Sequence, residues 1–334
     1  MMRVEEGHMK AAIVPHKEGR WEIREIPTPK PGDGQVLVKV HASGLCFTDV
    51  HQTRGKAKKF PWVLGHEVVG EIIEIGAGVW TRGVGDRVGI PWTQVGCGRC
   101  SACLRNEMHH CDSSIGTGVD LHGGHAEYLL AYAEGTILLP DGLSYEQAAP
   151  IFCAGYTVWS GIRSAKPKLG ERIAVLGIGG LGHLALQYAK AAGFETVAVT
   201  KNTDKAAWIH SLGTDMIVPD GEALAELGGA DILLCTSNSY AATADAIKGL
   251  RSNGRAMIMG IDNSPLELTW RLIAPQIQVI AVQMGPRAYL YEALQYVAQG
   301  KVKVMVEEFS LTDAAIAYDR VENGSVRFRA VIKP

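Results

Sequence analysis

The stretch Gly44 to His51, GLCFTDVH, sets a thiol, a hydroxyl, a carboxylate and an imidazole within six residues. A thiolate can hold a metal, and a hydroxyl beside an imidazole can pass on a proton near neutral pH. A second cluster, GCGRCSACLRNEMHHC, carries Cys97, Cys100, Cys103 and Cys111 at spacing C-x2-C-x2-C-x7-C. That spacing lets one short loop fold four thiolates into a tetrahedron, the closed shell of a structural zinc, with Gly96 and Gly98 permitting the tight backbone. A reduced or redox-active cysteine cluster and an iron–sulfur site are the alternatives. His109 and His110 adjoin the last cysteine and are expected to be exposed loop residues. Of the remaining cysteines, Cys235 lies in the apolar run ADILLCTSN and reads as core. Cys46 follows the strand-like QVLVKVHASGL, Cys153 lies in PIFCAGYTVW, and GHE at 65–67 adds His66 after a turn glycine. A catalytic zinc takes three protein ligands and keeps one position open, and two cysteines with one histidine form such a set.

The elements that must position these side chains follow from the pattern of the chain. With 334 residues, 47% hydrophobic, 20% charged and a net charge of -2, it can bury a large core over two domains and offers no basic footprint for nucleic acid or an anionic membrane. No segment reads as a membrane span or a cleaved leader, so a cytoplasmic protein is expected, with Met1 to His8 as an extension. Seven cysteines in such a protein argue for metal or catalysis over disulfides. From Lys10 to about Leu139 the chain is made of short β-like pieces (KAAIV, QVLVKVHASGL, EVVGEIIEIG, DRVGI, HAEYLLA) punctuated by glycine and proline.

The second half alternates. RIAVL is followed by Gly177, Ile178, Gly179, Gly180, Leu181 and Gly182 and then by a helical pattern through Gly193. This is G-x-G-x-x-G at a strand-to-helix junction, where a pyrophosphate meets the free amides of a helix start. Five further apolar runs, at 196–200, 216–218, 231–235, 254–259 and 278–282, complete the six strands of a doubly wound parallel sheet.

In combination and in order, GLCFTDVH, GHEVVGEIIEIGAGV, GDRV, the four-cysteine loop, GGHAEY, AAPIFCAGYTVW and GIGGLGHLALQYAKAAG resemble the zinc-dependent alcohol dehydrogenases of the medium-chain dehydrogenase/reductase superfamily, over nearly the whole chain. The resemblance implies an α/β protein: a mainly β, GroES-like catalytic domain at 1–150 completed by 286–334, a Rossmann coenzyme domain at 151–285, and an active site in the cleft between them. It also implies a homotetramer or homodimer, an alcohol or aldehyde substrate, and two zinc ions per chain.

Residue by residue, the resemblance makes Cys46, His66 and Cys153 the ligands of a catalytic zinc, with Glu67 close by and Asp49 orienting His66. Thr48 would hydrogen-bond the substrate oxygen and relay its proton through the cofactor ribose to His51. Phe47 departs from the basic or histidine side chain that many relatives place against the pyrophosphate, which leaves Arg329 as the phosphate candidate. Phe47, Trp92 and Trp159, with Trp62 as a further aromatic, are the pocket candidates. At the end of the second Rossmann strand AVTKNTDK supplies Thr200, Lys201, Asn202 and Lys205 where NAD enzymes usually place an acid, with Asp204 expected to cap the next helix; NADP(H) is therefore favoured, with NAD(H) the alternative. A zinc polyol dehydrogenase and a non-enzymatic cofactor-binding protein are the rival functions.

Overall fold

The computed structural model describes residues 7–202 and 206–334. Chain contacts divide it into two compact units, one running to Cys153 and resuming at Val304–Pro334, the other formed by Ala154–Lys303.

The first unit is built on the strand Gln35–Leu45, in which Val36, Val38 and Val40 point into a fully apolar layer while Lys39 faces solvent. Leu37 and the run from Ala42 to Leu45 are buried as well, so the strand is covered on both faces over most of its length and Lys39 alone in it is exposed. Glu67–Ile75 and Tyr128–Tyr132 pair with it antiparallel, and Arg87–Ile90 and Ile137–Leu138 extend the sheet beyond Glu67–Ile75. Two register shifts in the pairing with Glu67–Ile75 mark bulges, which bend and twist a sheet. The C-terminal strand Arg329–Lys333 returns antiparallel to the last residues of the central strand, setting Ala330 against Leu45 and Val331 against Gly44. Val306–Ser310 pairs parallel with it at the edge. A separate three-stranded sheet has His8–Val14 between Glu22–Pro27 and Trp62–Val63.

The second unit is a six-stranded parallel sheet in the spatial order Met216–Val218, Glu195–Val199, Arg172–Leu176, Ala230–Cys235, Leu250–Ile258, Gln278–Ala281. Its strands are the apolar runs expected, because helices cover both faces of a parallel sheet and leave no polar side. The order reverses at the first strand, the doubly wound arrangement that opens a crevice at the strand ends. Cys235 is completely buried in the core of this sheet.

The unit boundary differs from the expectation at both ends. Cys153 falls in the first unit, so every predicted zinc ligand lies on one body. Residues 286–303 fall in the second, because helix Arg287–Ala298 buries Leu290, Ala293, Leu294 and Val297 there. Glu292 of that helix accepts from Trp159 Nε1 at 2.7 Å, and Tyr188 donates to the Ala293 carbonyl at 3.0 Å.

The glycine turn is fixed by contact and by backbone angle. Gly177 has φ +85°, which favours glycine, and its carbonyl accepts from Thr236 Oγ1 at 2.6 Å. A Cβ on Gly182 would collide with the Gly177 carbonyl, whereas one on Gly179 would meet nothing within 4 Å. Gly182→Ala is therefore expected to lower stability by about 1–3 kcal/mol through overpacking. Urea unfolding measures it; a midpoint equal to that of the parent chain would show that the junction has slack the geometry denies.

Candidate metal centre and dinucleotide turn

Asp49 organises the first site. The central strand ends at Leu45, and Cys46 caps the short helix Phe47–His51: its carbonyl accepts from Asp49 N–H at 2.9 Å, and its own N–H donates to Asp49 Oδ2 at 2.9 Å. Gly65, at φ +102°, turns the chain so that its N–H donates to Asp49 Oδ1 at 3.2 Å and the next residue, His66, brings Nδ1 to 3.6 Å from the same oxygen. Cys153 enters from the turn Ala149–Phe152, where the Phe152 ring lies so close over Gly89 that any Cβ there would overlap it.

Cys46, His66, Glu67 and Cys153 thereby bring one ligand atom each within 4.8 Å of one another, and the two sulfurs are 3.8 Å apart. Both His66 nitrogens and Glu67 Oε2 are buried without a hydrogen-bond partner. Buried polar atoms are ordinarily satisfied, so a thiol pair, an imidazole and a carboxylate converging with unsatisfied atoms fit a bound cation. The electrostatics agree with a carboxylate held charged beneath it: burial pushes Asp49 up, but His66 and His125 more than offset this and hold it well below the usual carboxylate range. Glu67 behaves differently. Burial pushes it up to about 7 against the opposing pull of Arg329, whose guanidinium donates to Glu67 Oε1.

The four-cysteine loop forms a second group, all four sulfurs lying within 4.8 Å of one another. Backbone N–H groups donate to them in series, Cys97 to Cys111 Sγ at 3.4 Å, Cys100 to Cys97 Sγ at 3.4 Å and Cys103 to Cys100 Sγ at 3.5 Å. Such bonds stabilise thiolates, the form a metal binds. Gly98 has φ +72°, and a Cβ on Gly96 would reach 2.5 Å from Cys103 Sγ, so both glycines are needed where they stand.

Among the other predicted residues, Thr48 Oγ1 lies 3.6 Å from Cys46 Sγ, and the Trp92 ring stands edge-on to His66 at 5.0 Å. His51 is half-buried with its ring edge-on to Phe47 at 5.1 Å; burial, then Lys56 and Arg54, hold it below the ordinary histidine value. Two expectations change. Trp159 is packing, not pocket: it is 5% exposed, its Nε1 is bound to Glu292, and its ring meets Tyr188 and Tyr296 inside the second unit. Arg329, read as a phosphate ligand, is also 5% exposed and is drawn inward by the Glu67 carboxylate. Trp62 packs tilted against the His122 ring at 3.9 Å and donates to the Gly118 carbonyl at 3.1 Å. Thr200 accepts from Asn202 N–H at 3.2 Å, Lys201 and Asn202 are exposed, and Lys205 and Asp204 lie outside the described residues. His125, fully buried beside Asp49, and Ser43, fully buried beside His125, were not foreseen; the signal available was the histidine that opens the strand-like piece HAEYLLA.

A cluster of metal-ligand side chains on a mainly β, GroES-like unit and a glycine turn on a Rossmann unit are the two parts of the medium-chain dehydrogenase/reductase fold. Residues 32–141 match the family model of the alcohol dehydrogenase GroES-like domain, and residues 180–299 that of the zinc-binding dehydrogenases. An alcohol dehydrogenase of Geobacillus stearothermophilus is 38% identical over 97% of this chain and 99% of its own length. Among solved structures, the cobalt- and zinc-bound thermostable alcohol dehydrogenase of Pyrobaculum aerophilum superposes with a TM-score of 0.88 at 28% identity, covering 98% of this chain and 100% of its own. The acetophenone reductase of Geotrichum candidum in complex with NAD does so at 0.86 and 26%, over 100% and 99%. The chain belongs to the alcohol dehydrogenases of the medium-chain dehydrogenase/reductase superfamily.

The buried Glu67–Arg329 pair gives a direct test of the packing around the site. Arg329→Met strands a buried carboxylate and is expected to cost about 3–5 kcal/mol, whereas Arg329→Met with Glu67→Leu should recover most of that loss. Urea unfolding of the single and double variants decides it; additive losses would mean that the two side chains are not energetically paired.

Proposed function

We propose that the protein is a zinc-dependent alcohol dehydrogenase and aldehyde reductase that moves a hydride reversibly between a small alcohol or aldehyde and a nicotinamide cofactor, with NADP(H) preferred. The observation that carries this reading is the convergence of Cys46, His66 and Cys153 with Thr48 beside them. A zinc held by these three side chains supplies the positive charge that polarises a carbonyl or favours ionisation of an alcohol. Asp49 holds His66 in orientation. Thr48 would accept the hydroxyl proton of the substrate, and His51, which burial, Lys56 and Arg54 hold below the ordinary histidine value, would carry a proton on toward solvent. Phe47 and Trp92 supply the apolar wall against which the substrate chain rests. The four cysteines hold a second, structural zinc.

The glycines from Gly177 to Gly182 would seat the pyrophosphate: Gly179 leaves room for a close approach, and the helix Gly182–Ala191 starts there without a side-chain cap. The preference for NADP(H) rests on Thr200, Lys201 and Asn202, with Lys205, at a strand end that carries no acid. The NAD of the Geotrichum candidum reductase favours the second reading, NAD(H). Action in the cytoplasm and assembly as a homotetramer or homodimer complete the proposal; Trp270 and Ile273, 74% and 75% exposed just before the edge strand Gln278–Ala281, suit a contact between copies.

A steady-state assay over a panel of aldehydes, with NADPH and NADH compared at equal concentration, should show reduction with a higher kcat/KM for NADPH. A higher value for NADH would reverse the cofactor assignment, and no reduction by a zinc-replete protein would sink the enzyme reading. Selectivity for sugar alcohols over simple alcohols would favour the polyol alternative. Cys46→Ala or Cys153→Ala should abolish turnover with cofactor binding retained, measured by nucleotide fluorescence, while Cys100→Ala should chiefly lower the unfolding temperature; the opposite pattern would exchange the roles of the two metal groups.

A further inference from the structure

His125 is fully buried, and it reaches the same carboxylate that faces His66. Its Nε2 is 3.8 Å from Asp49 Oδ2, the oxygen opposite the one that His66 Nδ1 approaches at 3.6 Å. Neither nitrogen has a conventional hydrogen-bond partner, so Asp49 is the polar group each of them faces. The other ring nitrogen of His125, Nδ1, lies 3.0 Å from Ser43 Oγ, also fully buried. If the serine hydroxyl donates there, the imidazole carries its proton on Nε2, aimed at the carboxylate. The ring is fixed from every side. Trp21 tilts against it at 5.2 Å, a Cβ on Gly65 would come within 2.9 Å of its Nδ1, and its backbone accepts from Ala12 N–H at 2.8 Å and donates to the Leu64 carbonyl at 3.1 Å. Leu64 and Gly65 are the residues that lead directly into His66. The carboxylate itself is held from its backbone too: Trp21 Nε1 donates to Thr53 Oγ1 at 3.0 Å, and Thr53 Oγ1 donates to the Asp49 carbonyl at 2.9 Å.

We propose that His125 is a positioning residue of the Cys46, His66 and Cys153 centre: two imidazoles share the Asp49 carboxylate from opposite oxygens, and the Ser43-fixed N–H of His125 holds that carboxylate where it can orient His66 as a ligand. The proposal rests on the zinc reading of that centre. It differs from a packing role in a way that side-chain chemistry can separate. His125→Phe keeps an aromatic ring against Trp21 and removes the N–H; His125→Gln removes the ring and keeps an N–H at a similar reach. A donor role is rescued by glutamine and lost with phenylalanine, and a packing role shows the reverse.

The test is zinc release from the purified holoenzyme to a competing chelator, followed with a zinc-sensitive dye. The parent chain is expected to release two equivalents, one of them missing from Cys46→Ala. That equivalent should leave His125→Phe at a chelator concentration about tenfold lower, the scale on which partners of metal-bound histidines act. His125→Gln should hold it nearly as the parent does, Ser43→Ala should loosen it to a lesser degree, and the equivalent held by the four cysteines should be unmoved in all three. Phenylalanine holding zinc as the parent does, or glutamine losing it while phenylalanine keeps it, overturns the proposal. Should His125→Phe fail to fold by circular dichroism, unchanged release from Ser43→Ala overturns it instead. A parent chain with one equivalent, confined to the four cysteines, overturns the zinc reading itself, an outcome distinct from any change among the His125 variants.

Discussion

A carboxylate with no solvent exposure governs the first unit. Asp49 sits where an unpaired charge would be prohibitively costly, so the fold must bring it partners, one from three residues away and the others from two later parts of the chain. Cys46 and Gly65 supply backbone N–H groups, while His66 and His125 supply imidazoles on opposite oxygens. Satisfying one acid therefore assembles much of the cluster proposed to hold a metal. The same N–H bond that solvates Asp49 caps the helix that carries Thr48 and His51, which ties the proton path proposed for these residues to the ligand geometry.

Close approach is the second requirement, and glycine supplies it. Gly44 lies beneath Glu67 and Gly89 beneath Phe152, each at a separation that excludes a Cβ, so the strands bearing Glu67 and the turn bearing Cys153 come nearer than side chains would permit. The C-terminal strand completes this arrangement. By pairing Ala330 with Leu45 it delivers Arg329 to Glu67, and a positive charge is thereby buried beside the ligand cluster. In the second unit Gly177 and Gly182 bring the backbone of a turn against the start of a helix without intervening side chains.

Much of this was legible in the chain. The four-cysteine loop is local, and its spacing alone dictates which sulfurs can meet. The Rossmann strands announce themselves as apolar runs because both faces of a parallel sheet are covered. Long-range pairings were harder to see. Glu67 and Arg329 are 262 positions apart, and nothing in FRAVI distinguishes an arginine aimed at a phosphate from one drawn to a buried acid. Trp159 sits in an apolar helix whose face toward Tyr188 and Tyr296 depends on a helix more than a hundred residues later, so its packing role and the late domain boundary were hidden for one reason. His125 escaped notice because a histidine in a strand-like run carries no local mark of the carboxylate it will meet.

On the function proposed above, Cys46, His66 and Cys153 hold a zinc separate from that of the four cysteines. Anomalous diffraction from crystals of the protein, recorded on both sides of the zinc absorption edge, tests it most directly. Two peaks per chain are expected, one among Cys46, His66 and Cys153 and one among Cys97, Cys100, Cys103 and Cys111. A single peak at the four cysteines, from protein grown and purified with zinc in excess, would contradict it.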